Sequence, residues 1–531
     1  VRGISASKIG ALTVTGSRSG AHTGRLLGDS DGEGASFMPD HPFAAGETVT
    51  VKSSLNVLGA NNGTYQFTVA RPTGQIKAKR LRRSARERRA ALGFYSRPDL
   101  RPTAVTVLRR GAPNLGYLFV APQYGAYQNG PMLLDTTGNP VWFDRLPRNT
   151  LATDFREQKL WGQSVLTWWQ GSVNNGSGRG VDVIMDHHYR QIATVRAGNG
   201  LQGADLHEFL VTPQGQAYIT SVSPVHWPGV NKPVMDSVIQ EIDIKTGLVL
   251  FEWHALDHIS LSESYKSAKT GGYVYDPFHI NSIALDRDGN LVVSLRNTWA
   301  AYKIDRRSGN VIWRLGGKRS NFKMGPGTAI AFQHDLVIQP DGTFTIFDNG
   351  AGPPRVHRQS RVIRIAVDTH NMRVSLRAQY RHVPPLSSLW EGSAQLLKGG
   401  EVLTGWGQAP YVSEFNARGR IDFDIRFNTG IDSYRAYRFP WSGQPDTPPA
   451  VAVRRARGGG TTVYASWNGA TAVRGWRVLA GPNATRLSGA GTFAKRGFET
   501  AMAISGAQRF YAVAALDSAG HVLARSRAVG R

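Results

Sequence analysis

A strand–turn–strand unit recurs six times along the middle of this chain, and that repeat constrains the fold more than any other feature. Its turn segments are residues 133–143 (LLDTTGNPVWF), 184–195, 241–253 (EIDIKTGLVLFEW), 303–315 (KIDRRSGNVIWRL), 364–378 and 414–427, with starts about 50 to 62 residues apart. Self-similarity at such a period marks a repeat architecture. The later units are each preceded by a second hairpin with its own turn, at 213–215, 286–289, 340–342 and 398–400. Two hairpins make one four-stranded blade, and six blades close around a channel. The expected fold class is all-β: a six-bladed β-propeller whose repeats run from about residue 115 to 428, in a domain spanning 105–439. A β-sandwich is the rival, but it leaves the long regular period without an explanation.

At 531 residues the chain exceeds one ordinary core, so flanking domains are expected. Residues 1–70 alternate apolar and polar positions in short runs between Gly and Asp turns, which reads as an N-terminal β-sandwich. A Pro-rich stretch at 440–449 leads into strand-like runs at 463–467, 475–480 and 510–516, so 440–531 reads as a C-terminal fibronectin-III-like (Ig-like) β-sandwich. Both flanks are expected to be spacers or docking units.

The formal charge of +25 resembles a nucleic-acid footprint until it is located. Between positions 71 and 101, eleven Lys and Arg stand against two acids, densest at 77–89 (KAKRLRRSARERR). No aromatic residues interleave that run, and nucleic-acid binding wants both on one folded face, so no nucleic-acid partner is expected. Residues 71–104 read as a solvated basic linker, with contact to anionic wall or membrane polymers as its functional alternative. The chain has no cysteine, which excludes disulfides, thiolate zinc sites and cysteine nucleophiles. No run of eighteen apolar residues predicts a membrane-spanning helix. Val1 is not followed by a charged-then-apolar leader, so an export signal is expected to be either removed or absent.

Histidine falls at matching places in three repeats. His207 opens HEFLVTPQG, His279 opens HINSIALDRDG and His334 opens HDLVIQPDG, each eight or ten residues before the turn glycine. Each is expected to begin the first strand of a blade, and first strands line the channel, so the three imidazoles should meet at one mouth. The two-residue offset of His279 keeps its face, because strand side chains alternate, and moves the ring roughly 6.6 Å along. Asn281 then takes the inward level that His207 holds in its own blade. Arg296 ends the second strand of the blade begun by His279 and should stand beside it.

Such a cluster has two chemical uses. Three neutral imidazoles hold zinc, but a neighbouring arginine opposes a dication, and no HExxH pattern is present. Imidazoles with a guanidinium instead bind a tetrahedral oxyanion. One imidazole is then the nucleophile, and the others donate to the anion or the leaving oxygen. Trp168, Trp169, Trp299 and Trp390 are candidates to wall an aryl pocket, though blade packing explains them equally well.

The motifs DLHEFLVTPQG, DPFHINSIALDRDGNLVVSLRN, FQHDLVIQPDGTFTIFDNG and the W-x-G-S-A-Q run beginning at Trp390 resemble the bacterial arylsulfate sulfotransferase family, in its Gram-positive-type branch. The resemblance spans roughly residues 117–427. It implies an enzyme outside the cytoplasm, extracellular or at the cell surface, that uses no nucleotide sulfate donor. Such an enzyme moves a sulfuryl group from a phenolic sulfate ester to a phenolic acceptor through a sulfohistidine. It implies that His334 is sulfurylated, that His279 and Arg296 bind the sulfuryl oxygens, and that His207 is the remaining pocket histidine. Asn281, in the H-x-N step, is added as substrate-binding. His207 or His279 is then expected to protonate the leaving phenolate. No cofactor or metal is implied. The chain departs from enterobacterial members in lacking the disulfide they depend on.

Two alternatives remain open at this level. A non-catalytic cell-surface propeller binding module would suit the order sandwich–propeller–sandwich. A quinoprotein-like dehydrogenase is suggested by residues 305–313 (DRRSGNVIW), which fit the D-x-x-[ST]-G-x-x-x-W docking turn. Only some turns keep that tryptophan, and no calcium and quinone site is evident.

Overall fold

In the computed structural model, residues 1–74, 85–111, 116–269, 272–456 and 459–531 are described. Most of the basic stretch 77–89 lies outside the described residues, and its end forms a short helix, Ala85–Ala90.

The molecule is built almost wholly of antiparallel strands. Each of the six turn segments found in the sequence is an antiparallel hairpin, such as Ala300–Ile304 with Val311–Gly316 and Tyr411–Phe415 with Ile421–Phe427; those at 184–195 and 241–253 belong to one continuous eight-stranded sheet, joined where Gly180 pairs with Ala204. The inner strand of each repeat is Ile431–Phe439, Leu151–Leu160, Ala204–Val211, Ile280–Leu285, His334–Ile338 or Ser393–Leu396. These six strands contact one another in cyclic order, the last against the first. The arrangement is propeller-like, with sheets radiating from a central ring.

Sheets so arranged bury both faces, so their strands read as long buried runs rather than strict alternations. Val234–Asp243 is buried at every position. One apolar layer joins Tyr218, Ile239 and Trp253 to Ile283, Val293 and Tyr302 of the next sheet. Each fully buried aliphatic or aromatic side chain contributes about 1.5–3 kcal/mol to such a layer.

Two strands come from outside the repeat read in the sequence, which ended at 428. Ile431–Phe439 pairs with Tyr117–Tyr124 as the innermost strand of the first sheet, and Val105–Arg109 adds to Ile421–Phe427 as the outermost strand of the last. The physical reason lies in the first repeat, which supplies only three strands (Tyr117–Tyr124, Met132–Leu134, Pro140–Phe143) and would leave an open inner edge.

The N-terminal region forms a four-stranded sheet and a separate pair, Gly24–Gly28 with Ala35–Pro39. It is tied to the central sheets by Ser30, whose backbone N–H and hydroxyl donate to Asp243 at 2.7 and 2.8 Å. The C-terminal region packs a three-stranded sheet on a five-stranded one through Val463, Met502, Trp476 and Val513. It docks on the central sheets by reciprocal bonds of 3.0 Å each between Asn468 and the Phe143 backbone. No helix among the described residues is long and apolar enough to cross a membrane.

Candidate functional site

The inner strands carry polar groups to the centre of the ring, and these separate into two layers. The deeper layer is a cage around Arg435, whose side chain is fully buried. Its guanidinium donates to Asp154 at 2.9 Å, to both oxygens of Glu208 at 3.1 Å, and to the Asn281 carbonyl at 2.7 Å. Asp335 lies 3.5 Å from its Nε, and Arg156 bonds both Glu208 and, at 3.1 Å, Asp154.

Beside the cage lie the three histidines. The His207 and His279 rings meet edge to face with centroids 4.6 Å apart, and the Tyr434 ring stands 5.7 Å from His207 and 6.4 Å from His334. The sequence expectation of three strand starts needs correction in two cases. His334 does begin its strand, but His207 is the fourth residue of Ala204–Val211, and His279 precedes Ile280–Leu285. The reason is local backbone geometry. The pairing register slips between Ala204 and Phe209, between Ile280 and Ser282, and between His334 and Val337, and such bulges re-aim side chains. His279 itself adopts φ +61°, joined nearby by Trp299 (+54°), Phe332 (+55°), Asp335 (+48°) and Glu391 (+65°). Left-handed backbone at bulky residues is costly, and its clustering marks functional sites.

The imidazoles differ in what backs them. His207 Nδ1 bonds Asp205, and His279 Nδ1 bonds Asp276 at 2.6 Å. His334 Nδ1 instead lies 2.7 Å from the Asn349 carbonyl oxygen. The Asn349 amide is oriented by its own donations to the Ser388 and Glu391 carbonyls, at 3.1 and 2.9 Å. Its oxygen must therefore face His334, which assigns the proton to Nδ1 and the lone pair to Nε2. Nε2 accepts a long bond of 3.3 Å from the Glu391 N–H. Burial, then the charge on Arg296, lowers the His334 pKa well below its ordinary value, so the ring is neutral. Burial also lowers His279, against the opposing pull of Asp276.

Arg296 stands just past its strand, its backbone N–H bonded to the His279 carbonyl at 3.0 Å. Among the described residues its guanidinium bonds only neutral partners, Asn297 Oδ1 at 3.1 Å and the Leu389 carbonyl at 2.8 Å, and lies 4.9 Å from the Phe332 ring, while the Asp276 carboxylate acts on it through space. Burial lowers its pKa to about 10, so it remains a cation at neutral pH. Asn281 is fully buried and donates to the Gln333 carbonyl at 2.7 Å, bracing the residue before His334, while its Oδ1 has no partner among the described residues. Of the candidate wall residues, Trp168 and Trp169 are sealed in apolar cores. Trp299 stacks on Tyr265 at 3.7 Å, and Trp390 is exposed.

Four functional groups escaped the sequence reading. Asp205 and Asp276 stand two and three residues before their histidines, inside motifs already singled out. Asn349 was accessible to the argument that placed Arg296, since both follow the second strand of a blade whose first strand begins at a site histidine. Tyr434 rides on the closing strand, which no repeat signal announced.

Solved structures with some likeness include a Bacteroides caccae protein of unknown function (12% identity, 61% of this chain and 99% of that one, TM-score 0.39). Others are the periplasmic gluconolactonase of Pseudomonas aeruginosa (14%, 74% and 100%, 0.34) and an inactive virginiamycin B lyase from Staphylococcus aureus (11%, 69% and 97%, 0.32). Likenesses this slight say nothing of chemistry. No curated protein matches the sequence. The profile of the arylsulfotransferase (ASST) family matches residues 156–428, just over half of the chain, a span that contains His207, His279, Arg296 and His334. The chain belongs to the arylsulfotransferase family.

Proposed function

We propose that this protein moves a sulfuryl group from a phenolic sulfate ester to a phenolic acceptor through a sulfohistidine at His334, on a six-bladed propeller flanked by two sandwiches and working outside the cytoplasm. One juxtaposition carries the reading. A guanidinium that no carboxylate bonds acts on an imidazole whose proton is on Nδ1, leaving on Nε2 a lone pair held only by the long bond from the Glu391 N–H. A half-buried cation that no carboxylate bonds directly is a site for an anion. A neutral imidazole beside it is a nucleophile for that anion's sulfur.

The steps follow from these groups. The sulfate ester binds against Arg296. Its negative charge adds to the pull of Asp276 against the burial that lowers His279, whose imidazolium Nε2–H then donates to a sulfuryl oxygen, with His207 edge to face beside it. His334 Nε2 attacks sulfur as the S–O bond to the aryl group breaks. The phenolate departs and is protonated, and a second phenol takes the sulfuryl group from nitrogen. Transfer of this kind depends on positioning and charge stabilisation, with the loose transition state of phosphoryl transfer. Two half-reactions at one site imply ping-pong kinetics.

The test is mass spectrometry of the protein mixed with 4-nitrophenyl sulfate and no acceptor. One sulfuryl adduct on the peptide containing His334 is expected, together with a loss of turnover on the order of 10⁴-fold or more in His334→Ala. An adduct on another residue would overturn the assignment.

A further inference from the structure

Three buried side-chain oxygens have no hydrogen-bond partner among the described residues and gather at Glu391: Glu391 Oε2, Asp432 Oδ1 and Gln123 Oε1. Their residues are 5%, 7% and 1% exposed. They converge from separate elements. Gln123 and Asp432 sit opposite each other in the pairing of Tyr117–Tyr124 with the closing strand, and Gln123 Nε2 donates to Glu391 Oε1 at 3.1 Å. The main-chain N–H of Glu391 bonds His334 Nε2 at 3.3 Å, so one residue ties the cluster to the reacting nitrogen. Neither carboxyl forms an ion pair among the described residues, in contrast to those of the Arg435 cage.

An ionised carboxylate only accepts hydrogen bonds, and a buried acceptor left empty is costly. Two such groups with one amide between them therefore keep a proton. Burial, followed by the charge on Asp432, raises Glu391 well above its ordinary value, and burial does the same to Asp432. The other titratable groups facing them are the Tyr124 phenol, raised by burial and then by these two carboxyls, and Tyr434, whose buried hydroxyl also lacks a partner. One proton turns one of the three oxygens into a donor toward a second and leaves the third empty. That remaining oxygen lacks a hydroxyl donor, and a phenol brings one.

We propose that Glu391 and Asp432 share one proton and act as the phenol's acid and base, with Gln123 aligning them. This rests on the arylsulfotransferase reading. With His279 turned to a sulfuryl oxygen and His207 beside it, the phenol's proton needs another holder. In the first half-reaction His334 Nε2 bonds sulfur, the aryl C–O–S linkage breaks at S–O, and the departing oxygen takes the shared proton. In the second, the acceptor O–H returns a proton to the carboxyl pair as its oxygen bonds sulfur and the N–S bond breaks. No proton or electron is gained or lost over the cycle.

Glu391→Gln and Asp432→Asn preserve shape while removing the exchangeable proton. The measurement is the rate of His334 sulfation with 4-nitrophenyl sulfate, which has a weakly basic leaving group, and with phenyl sulfate, which has a more basic one. Loss on the order of 100-fold is expected with phenyl sulfate and about tenfold or less with 4-nitrophenyl sulfate, because general acid catalysis matters most for poor leaving groups. Equal losses on both donors, or none on either, would overturn the proposal in favour of a structural role. The unmutated protein gives a second reading that depends on no variant folding: its sulfation rate should vary little between the two donors, and a steep fall with leaving-group basicity would count against the pair. If the unmutated protein forms no adduct with either donor, the parent reading fails instead.

Discussion

The two polar layers at the centre of the ring use the same residue types to opposite ends. In the cage, Arg435 and Arg156 are matched by Asp154, Glu208 and Asp335, and each guanidinium bonds carboxylates directly. In the pocket, Arg296 touches two neutral oxygens and a ring face. The difference teaches where function sits. A charge balanced inside the protein holds strands together, whereas a charge left unbalanced must be answered by a ligand. Histidine repeats the lesson. His254, outside the pocket, has both ring nitrogens occupied, by Asp236 at 2.7 Å and Glu252 at 3.0 Å, while each pocket imidazole is backed on Nδ1 alone or nearly so.

The comparison breaks most visibly at the cage. Arg435→Met should cost about 3–5 kcal/mol in unfolding free energy, read from denaturant titration, because it strands buried carboxylates. If stability is unchanged, the cage is not what closes the ring. The matching change in the pocket, Arg296→Gln, should lower kcat/KM for aryl sulfates about 10²–10³-fold. The same titration should find its stability close to the parent's, since no carboxylate loses a bonded cation. A strongly destabilised Arg296→Gln would show that Arg296 belongs with the cage.

The periodic part of this architecture was open to sequence reading because each repeat carries its own turn residues. Asp305-to-Gly309 and Pro340-to-Gly342 mark hairpins whatever surrounds them. The closing strand was not, since residues 431–439 (IDSYRAYRF) are explained only by a partner some 310 positions away in the chain. The three histidines and Arg296 were legible because equivalent repeat positions imply a common place in space. Their exact aim was not. His279 and Asp335 sit in left-handed backbone, and a bulge of one residue changes where a side chain points without altering the motif. The partners of the imidazoles went unread although Asp205 and Asp276 stand inside the same motifs and Asn349 follows its second strand as Arg296 does, because sequence spacing does not say which neighbour a ring nitrogen bonds.

Asn349 gives a finer test, since it is the one difference in backing between His334 and its neighbours. Asn349→Asp puts a carboxylate where a neutral amide oxygen now accepts the His334 Nδ1 proton. That stabilises the imidazolium and raises its pKa, so a larger share of Nε2 carries a proton at neutral pH. Once the pKa passes the working pH, each further rise by one leaves about tenfold less of the neutral nucleophile. Activity at pH 7 should fall about tenfold and recover as pH rises. A uniform loss at every pH would mean that Asn349 positions the ring without setting its charge.

The smallest effect belongs to His254, the closed histidine. Burial opposes its protonation, but the bonds to Asp236 and Glu252 win and raise its pKa to about 10. A folded-state pKa above the unfolded value of about 6.5 stabilises the protein fully below that pH, and the contribution is lost as pH climbs towards about 10. Asp236 is itself raised by burial and is the weaker counter-ion, so the contribution should be only about 1–3 kcal/mol. The difference in unfolding free energy between the parent and His254→Gln should therefore shrink between pH 6.5 and 10, with sulfation of His334 unaffected. A difference that stays flat with pH would place His254 among neutral packing residues. Its two carboxylates would then be no counterpart to the single one behind His279.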